Sequence, residues 1–335
     1  MTDFAVLDLV PVREGGSLGE AFAASAALAR TAEGAGCKRF WVAEHHAMDG
    51  IAGGATSVVL AHIGHATSTI RIGAGGIMLP NHTPFQIAEQ FGTLDALFPG
   101  RVDLGLGRAP GAGPELQRAL RKDLAQASQY FPQDVAELRA LLTGDVDLPI
   151  TATPGLGAQV QLWMLGSSLF GAQLAARAGL PYAFAAHFAP DHLDEALEVY
   201  RRQFQPSEAL ASPRVMVAMN VFAADTHDEA ELVASSQQQA FVALRTGRPG
   251  RLQPPIPDYA SGLPAPARAM LAHVGQASAV GTPREVREAI TAMIERTQAD
   301  EILLCGSAFD PEARQRSIEL TMHAMGDAVS ARVDA

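Results

Sequence analysis

The sequence contains little cysteine, little lysine and no long apolar run. Cys37 and Cys305 are its only cysteines and lie in or beside predicted strands, so we expect buried thiols of a cytoplasmic protein and no disulfide framework. Lysine occurs only at Lys38 and Lys122. No apolar run reaches the roughly 18 residues that a membrane-spanning helix needs. The amino terminus lacks the basic and apolar segments of a signal peptide. A formal net charge of -11 without any basic run makes nucleic acid and anionic membranes poor candidate partners.

Short apolar runs that alternate with helical patterns fill most of the chain. The 335 residues, 48% of them hydrophobic, suffice for a large core, and we expect a single domain over residues 1–335. Strands in such alternation are parallel, because each helical crossover returns the chain to the same end of the sheet. Eight units favour a closed (β/α)8 TIM barrel, with a doubly wound open sheet as the main alternative. The predicted strands are Phe4–Val10, Arg39–Ala43, Ile70–Leu79, Arg101–Gly107, Gln161–Gly166, Pro181–Ala186, Arg214–Ala223 and Glu301–Gly306.

Three segments between these strands have distinctive patterns. Thr83, followed by Pro84 and Gln86, predicts a helix start with a capping box. A long helical region is predicted from Pro114 to about Leu142. The segment 246–266 is rich in proline and glycine and predicts an irregular surface insertion.

Polar and glycine residues follow most of the predicted strands. Because the active site of a TIM barrel lies at the carboxyl ends of its strands, these residues are the candidates for chemistry. In strand order they are Asp8, then Glu44 with His45 and His46, then Gly75 and Gly76, then Arg108, then Ser167 and Ser168, then His187.

The turn at Ser167 and Ser168 joins a strand to a helix and predicts an anion site. Unpaired helix N–H groups, two hydroxyls and the positive end of the helix dipole suit a phosphate, and Arg108 can supply the countercharge. The alternative is that a serine only caps the helix and that Arg108 makes a surface ion pair.

The histidine doublet has the wrong spacing for a metal site. His45 and His46 are adjacent and point in different directions, and His62 and His65 have no further ligands nearby in sequence. We therefore predict no metal site and favour proton transfer or hydrogen bonding at a pocket rim. Gly75 and Gly76 interrupt a strand, which indicates either a simple bulge or the close approach of a ligand to the backbone.

Four segments together resemble the bacterial luciferase-like family of flavin-dependent oxidoreductases. They occur in family order as WVAEHHAMDG, IRIGAGGIMLPNHTPFQIAEQFGTLDALFPGRVDLGLGRAPG, LGSSLFGAQLAARAGLPYAFAAHF and VGTPREVREAI. The resemblance implies a (β/α)8 barrel that binds FMN, in most members as a homodimer. It also implies a monooxygenase that receives reduced FMN from a separate flavin reductase, reacts it with O2 to a C4a-peroxyflavin and oxidises a small organic substrate.

The resemblance also implies roles for individual residues. His45 matches the family's histidine beside the flavin, and His46 is a weaker candidate. Gly75 and Gly76 fall where many members have a non-proline cis peptide. Arg108 matches the arginine on the FMN phosphate. The serine at the helix start corresponds to Ser168, with the amides of Ser167 and Gly171 nearby.

The chain departs from the light-emitting luciferase subunit at Gly107, where that subunit has a reactive cysteine. We therefore expect a single-subunit monooxygenase of this family and not a luciferase. Three alternatives stay open: a deazaflavin-dependent dehydrogenase on the same fold, a non-catalytic flavin-binding protein and, more distantly, a metal-dependent hydrolase.

Overall fold

A computed structural model describes residues 2–108, 114–144 and 149–333. Nine parallel strands alternate with helices along the chain. The strands are β1 (Asp3–Asp8), β2 (Arg39–Val42), β3 (Arg71–Met78), β4 (Val102–Gly107), β5 (Gln161–Gly166), β6 (Tyr182–Phe184), β7 (Val215–Ala223), β8 (Ser278–Gly281) and β9 (Glu301–Cys305). The helices are α1 (Leu18–Gly34), α2 (Thr56–Ala66), α3 (Pro84–Leu97), α4 (Pro114–Leu120), α5 (Leu124–Gln129), α6 (Phe131–Thr143), α7 (Leu169–Ala178), α8 (Leu193–Gln203), α9 (His227–Arg245), α10 (Ala265–Gly275), α11 (Pro283–Thr297) and α12 (Pro311–Val333).

Eight of the strands close into a barrel, which confirms the predicted (β/α)8 fold. Strands β1 to β6 pair in sequence order, β6 pairs with β7, and β9 closes the ring between β7 and β1. The ninth strand, β8, pairs with the upper half of β7 and lies outside the ring. The sequence did not predict β8, because its four residues, SAVG, are too short and too small to stand out as an apolar run.

The barrel separates two apolar layers. Every second strand residue points inward, where Trp41 and Trp163 meet edge to face with ring centroids 5.4 Å apart. The alternate residues face the helices, where Phe40, Ile72 and Leu104 are fully buried in the larger core. Covering both faces explains why the strands are nearly continuous apolar runs. Both cysteines are buried thiols, as expected.

The predicted helical region 114–142 is three helices instead of one. Arg121 adopts a left-handed backbone conformation, φ 55°, which ends α4. Asp123 then caps α5 by accepting a hydrogen bond from the Gln126 N–H, and α6 begins at Phe131. Among the described residues, we find no helix with the length and apolar character to cross a membrane.

Helix α3 begins as predicted, but its capping pattern differs. The Thr83 hydroxyl accepts a hydrogen bond from the Gln86 N–H, as an N-cap should. The reciprocal half of the predicted capping box is wrong, because the Gln86 side chain accepts from the Thr83 hydroxyl at 3.1 Å. The helix places the preceding turn against the end of β2.

The segment between α9 and α10 is irregular, as predicted for residues 246–266, but it is anchored to the barrel. Leu252 is buried, and its N–H donates to the Val12 carbonyl at 2.9 Å. Arg251 pairs with Asp49 at 3.0 Å, in the loop that follows the histidine doublet. The insertion therefore rests on the loops after β1 and β2, next to the candidate site.

Candidate active site

The carboxyl ends of the barrel strands form an open mouth. Residues at or just beyond these ends are partly exposed, whereas Asp103 and Glu301 near the opposite ends are fully buried. The carboxyl ends are therefore the candidate entry for a ligand. The partly exposed residues are Leu9, His45, Gly75, Gly107, Leu165 and His187.

Gly75 and Gly76 lie where β3 bulges against β4. The register shifts between Ala74 and Ile77, and the peptide between the two glycines is cis, at the position where the resemblance implied one. A Cβ on Gly76 would lie 2.6 Å from the Gly105 carbonyl oxygen, and one on Gly75 would lie 2.6 Å from Leu7. Only glycine fits at Gly76 because backbone blocks its Cβ, whereas a Cβ on Gly75 would require Leu7 to move. The two glycines leave the backbone without side chains at this part of the mouth.

Glu44 joins three chain segments at the rim. One carboxylate oxygen contacts the Nε2 atoms of His46 and His82, the latter at 2.7 Å. The other oxygen accepts a hydrogen bond from the Met78 N–H at 2.9 Å. Burial acts to raise the pKa of Glu44, but these hydrogen bonds outweigh it and lower the pKa to about 2. The hydrogen bond to Glu44 raises the pKa of His46.

The side chains of Glu44, His46 and His82 are relevant to the prediction that the protein has no metal site. The donor atoms of Glu44, His46 and His82 lie within 4.8 Å of one another, close enough for an ion to bridge them. Sequence spacing did not suggest this group, because His82 comes from the turn after β3. Hydrogen bonds to Glu44 already engage both imidazoles, so the cluster links loops without needing an ion.

His45 and His187 come from opposite sides of the ring. They follow β2 and β6, which are four strands apart in the eight-stranded barrel. Burial lowers the pKa of His45, and His46 adds to this effect while Glu44 opposes it. Burial together with the nearby His45 lowers the pKa of His187 to about 4. Both imidazoles are therefore neutral at neutral pH, a state in which each can accept or donate one proton.

Arg108 and Ser168 meet at the amino end of α7. The Arg108 guanidinium lies 4.0 Å from the centre of the Phe170 ring, in the first turn of this helix, and pairs with no carboxylate in the described structure. Ser168 is the N-cap residue, yet its hydroxyl caps no N–H among the described residues. Gly166 and the buried Gly171 are neighbours where β5 meets the helix, and a Cβ on either would lie 3.6 Å from the Cα of the other. The predicted residues of the phosphate site thus lie together, with an unpaired cation and a free hydroxyl.

Sequence reasoning missed two residues at the mouth. His82 lies beyond β3, directly before the helix start at Thr83. Asn220 is the polar residue within the apolar strand β7, and its amide Nδ2 donates to the His187 carbonyl at 2.9 Å. A buried asparagine inside an apolar run was the available signal for the second.

The fold recurs in solved structures. The crystal structure of apo-MsnO8 matches with a TM-score of 0.86 and 34% identity, covering 97% of this chain and 99% of that chain. More distant structures share the barrel alone. One is the oxygenating constituent of 3,6-diketocamphane monooxygenase from Pseudomonas putida in complex with FMN, with a TM-score of 0.72 and 20% identity over 96% of this chain and 97% of that chain. Another is an F420-dependent secondary alcohol dehydrogenase, with a TM-score of 0.67 and 15% identity over 96% of this chain and 98% of that chain.

Sequence relatives identify the family. The family model for luciferase-like monooxygenases matches residues 2–301. A luciferase-like monooxygenase of Escherichia coli strain K12 is 47% identical over 327 residues, which are 96% of this chain and 98% of the relative. N-acetyl-S-alkylcysteine monooxygenase of Bacillus subtilis strain 168 is 34% identical over 254 residues, covering 74% of this chain and 75% of the relative. The chain therefore belongs to the luciferase-like monooxygenase family and is an enzyme of the flavin-type monooxygenase class.

Proposed function

We propose that this enzyme is an FMN-dependent monooxygenase that uses reduced FMN and O2 to oxidise a small organic substrate. The observation that carries the proposal is the placement of Arg108 over Phe170, at the amino end of α7. This contact brings a cation that has no carboxylate partner among the described residues to the helix end where N–H groups need acceptors. The flavin phosphate fits that requirement.

The phosphate cradle combines three kinds of donor. The Arg108 guanidinium can form charge-assisted hydrogen bonds to phosphate oxygens. The first N–H groups of α7 and the positive end of its dipole favour an anion at the same point. The Ser168 hydroxyl, unused for capping within the described structure, is free to donate as well. Gly171 is buried in the first turn of the helix, and a Cβ there would lie 3.6 Å from the Gly166 Cα at the end of β5.

The flavin ring would lie on the bare backbone at Gly75 and Gly76, beside His45. Bound reduced FMN supplies the chemistry, in which O2 gives one oxygen atom to the substrate and the other leaves as water. The neutral His45 imidazole can hold or deliver a proton at its ring nitrogen. Leu7, Trp41 and Leu165 provide apolar surface that excludes water from below.

The role of His46 differs from that of His45. His46 hydrogen-bonds Glu44, so we propose that it holds the rim in place and takes part in proton transfer only through Glu44. Glu44 in turn fixes the Met78 N–H at the end of β3, just beyond the glycine pair. This chain of contacts joins the loop that carries His45 to the backbone that would support the flavin.

The partners proposed for this enzyme follow the family resemblance. A separate flavin reductase would deliver the reduced FMN, and the enzyme would act in the cytoplasm as a homodimer. Sedimentation velocity of the purified protein tests the assembly, and a single species at the monomer mass would contradict the homodimer.

The substrate class is proposed from relatives. One is named for oxidising N-acetyl-S-alkylcysteines, and a structural neighbour is named a type II Baeyer-Villiger monooxygenase. We therefore propose a soft sulfur centre or a ketone as the group oxidised. A first panel contains an N-acylated alkyl thioether and a cyclic ketone, supplied with reduced FMN under air.

Titration of the protein with FMN, riboflavin and F420 tests the cofactor. We expect FMN to bind most tightly, because riboflavin lacks the phosphate that the cradle would hold. Arg108→Ala should weaken FMN binding roughly tenfold to a hundredfold, the value of lost charge-assisted hydrogen bonds, and leave riboflavin binding unchanged. The control is Arg284→Ala on the exposed face of α11, which should alter neither affinity.

Two results would contradict the cofactor proposal. Tighter binding of F420 than of FMN would favour a deazaflavin-dependent dehydrogenase. Equal loss of FMN and riboflavin affinity in Arg108→Ala would mean that Arg108 supports the ring or the fold and not the phosphate.

A further inference from the structure

Two buried polar atoms on the β6–β7 side of the mouth have no hydrogen-bond partner within the described residues. They are Nδ1 of His187 and Oδ1 of Asn220. Asn220 is 5% exposed, so water does not readily satisfy its amide oxygen. Because an unpaired buried polar group costs free energy, such atoms at the edge of an open site indicate a ligand that pairs with them.

The two residues are held in a fixed relation to each other. The Asn220 amide Nδ2 donates to the His187 carbonyl at 2.9 Å, and the His187 N–H donates to the Ala218 carbonyl at 2.9 Å. Both contacts cross the seam between β6 and β7. These contacts hold the Asn220 side chain and the His187 backbone together, so the amide oxygen and the ring nitrogen that lack partners in the described structure share one corner of the mouth.

This corner is separate from the proposed cofactor contacts. The cradle lies at the ends of β4 and β5, and the glycine pair lies on β3, whereas Asn220 is on β7. His45 nevertheless lies near enough to contribute to the lowered pKa of His187. The corner thus lies across the mouth from His45, where a second substrate would enter.

We propose that His187 and Asn220 bind the organic substrate through an uncharged group that both donates and accepts hydrogen bonds, such as a secondary amide or an alcohol. The inference rests on the proposed function, since it assigns the corner to the second substrate. Neutral imidazoles and a carboxamide offer dipoles and no countercharge, so a carboxylate or ammonium group would lose its hydration there without compensation. A donor is needed for the Asn220 oxygen, and the His187 nitrogen can take either role.

A matched pair of probes tests this assignment in the FMN-loaded enzyme. N-benzylacetamide has the amide N–H, and benzyl acetate has the same shape without it. Histidine Cε1–H signals in NMR spectra report the binding of each probe. We expect the amide to bind about tenfold more tightly than the ester, because the ester leaves the Asn220 oxygen unpaired.

Variants test whether the preference for the amide over the ester depends on His187 and Asn220. Asn220→Leu and His187→Phe should each reduce the amide-to-ester ratio to about twofold or less, while FMN affinity stays at the wild-type value. The matched control is Ser25→Ala, because its hydroxyl is likewise buried and unpartnered among the described residues but lies on α1, outside the barrel. Ser25→Ala should keep the full ratio.

The outcomes separate the inference from the proposed function. Equal binding of amide and ester by the wild-type enzyme overturns the inference whether or not any variant folds. An unchanged ratio in a folded Asn220→Leu and a folded His187→Phe overturns it too. Failure of FMN to bind in the parallel titration overturns the proposed function, and the probe ratio is then measured on the FMN-free protein.

Discussion

Within the described structure, polar side chains are paired at one end of the barrel and several lack partners at the other. At the amino ends of the strands, Arg39 lies between Asp103 at 2.7 Å and Glu301 at 2.8 Å. Arg71 and Arg214 bind the same two carboxylates from outside. At the carboxyl ends, Arg108 and Ser168 have no partner in the described structure, and the corner of His187 and Asn220 is unsatisfied.

This difference indicates that the amino ends of the strands stabilise the fold and that the carboxyl ends bind ligands. Charges buried from water must be paired, so the network at the amino ends ties β2, β4 and β9 together within their first two residues. Side chains that bind a ligand are unpaired before the ligand binds, so they contribute little to the stability of the ligand-free protein. Substitutions at the amino ends of the strands should therefore reduce the free energy of unfolding. Substitutions at the mouth should reduce binding or turnover.

The largest expected effect follows from removing Glu301. Glu301→Ala leaves Arg39 buried with one carboxylate fewer and leaves Arg214 without its 2.6 Å partner. We expect the free energy of unfolding to fall by about 3–5 kcal/mol, because the buried Arg39 would keep only one carboxylate partner, Asp103, which Arg71 also binds. Urea denaturation followed by circular dichroism measures the change.

A surface pair provides the control for Glu301. Arg202 pairs with Glu198 on α8, with both side chains mostly exposed. Arg202→Met should cost less than about 1 kcal/mol, since water screens the pair. Similar losses in both variants would refute the structural role assigned to the buried network.

The next largest effect is expected at His45. His45→Ala should lower turnover roughly a hundredfold, the usual contribution of a proton-transfer group, while FMN affinity and the free energy of unfolding stay close to wild type. Product formation from the thioether or ketone panel with reduced FMN measures turnover. His62→Ala, exposed on α2, is the matched control. Equal loss of turnover and FMN affinity would remove His45 from the proposed chemistry.

The sequence predicted the barrel and much of the mouth for one physical reason. Parallel strands end at the same rim, so residues that follow successive strands, such as Arg108 and Ser168, come together without any knowledge of contacts. The barrel itself followed from eight apolar runs of sufficient length. The strand β8 and the breaks after Leu120 and Gln129 escaped, because four small residues and a left-handed Arg121 leave no periodic signal.

The partners of individual side chains were beyond sequence reasoning. The adjacent spacing of His45 and His46 suggested two unequal histidines, but not that Glu44 bridges His46 to His82. That contact depends on the turn after β3 folding against the end of β2. Asn220 stood out as an asparagine inside an apolar run, but its contact with the His187 carbonyl across the β6–β7 seam could not be predicted from the sequence.

The buried His187 at the mouth makes the stability of the folded protein depend on pH. His187 has a folded-state pKa of about 4, below its ordinary value near 6.5. The unfolded chain therefore binds this proton first, so the contribution of His187 to stability is present above pH 6.5 and is lost as the pH falls toward 4.

Replacing His187 tests this linkage. His187→Gln should make the free energy of unfolding less dependent on pH between 4 and 6.5, by at most about 1.4 kcal/mol per pH unit. Urea titrations at several pH values measure the slope. Exposed His62→Gln should leave the slope at its wild-type value, and an identical slope in His187→Gln would mean that His187 protonates freely in the folded protein.

The smallest expected effect compares two helix starts within the chain. Ser17 caps α1 in a full capping box with Glu20, whereas the Ser168 hydroxyl at the start of α7 caps no N–H in the described structure. Ser17→Ala should cost about 1 kcal/mol of unfolding free energy, and Ser168→Ala should cost close to nothing.

For FMN affinity the order reverses, because only Ser168 belongs to the cradle, and a loss of roughly fivefold is expected from one hydrogen bond. Thermal denaturation and FMN titration of the two variants give both comparisons. If Ser168→Ala destabilised the protein as much as Ser17→Ala and left FMN affinity intact, its serine would be an ordinary cap, and the phosphate would rest on Arg108 and the helix alone.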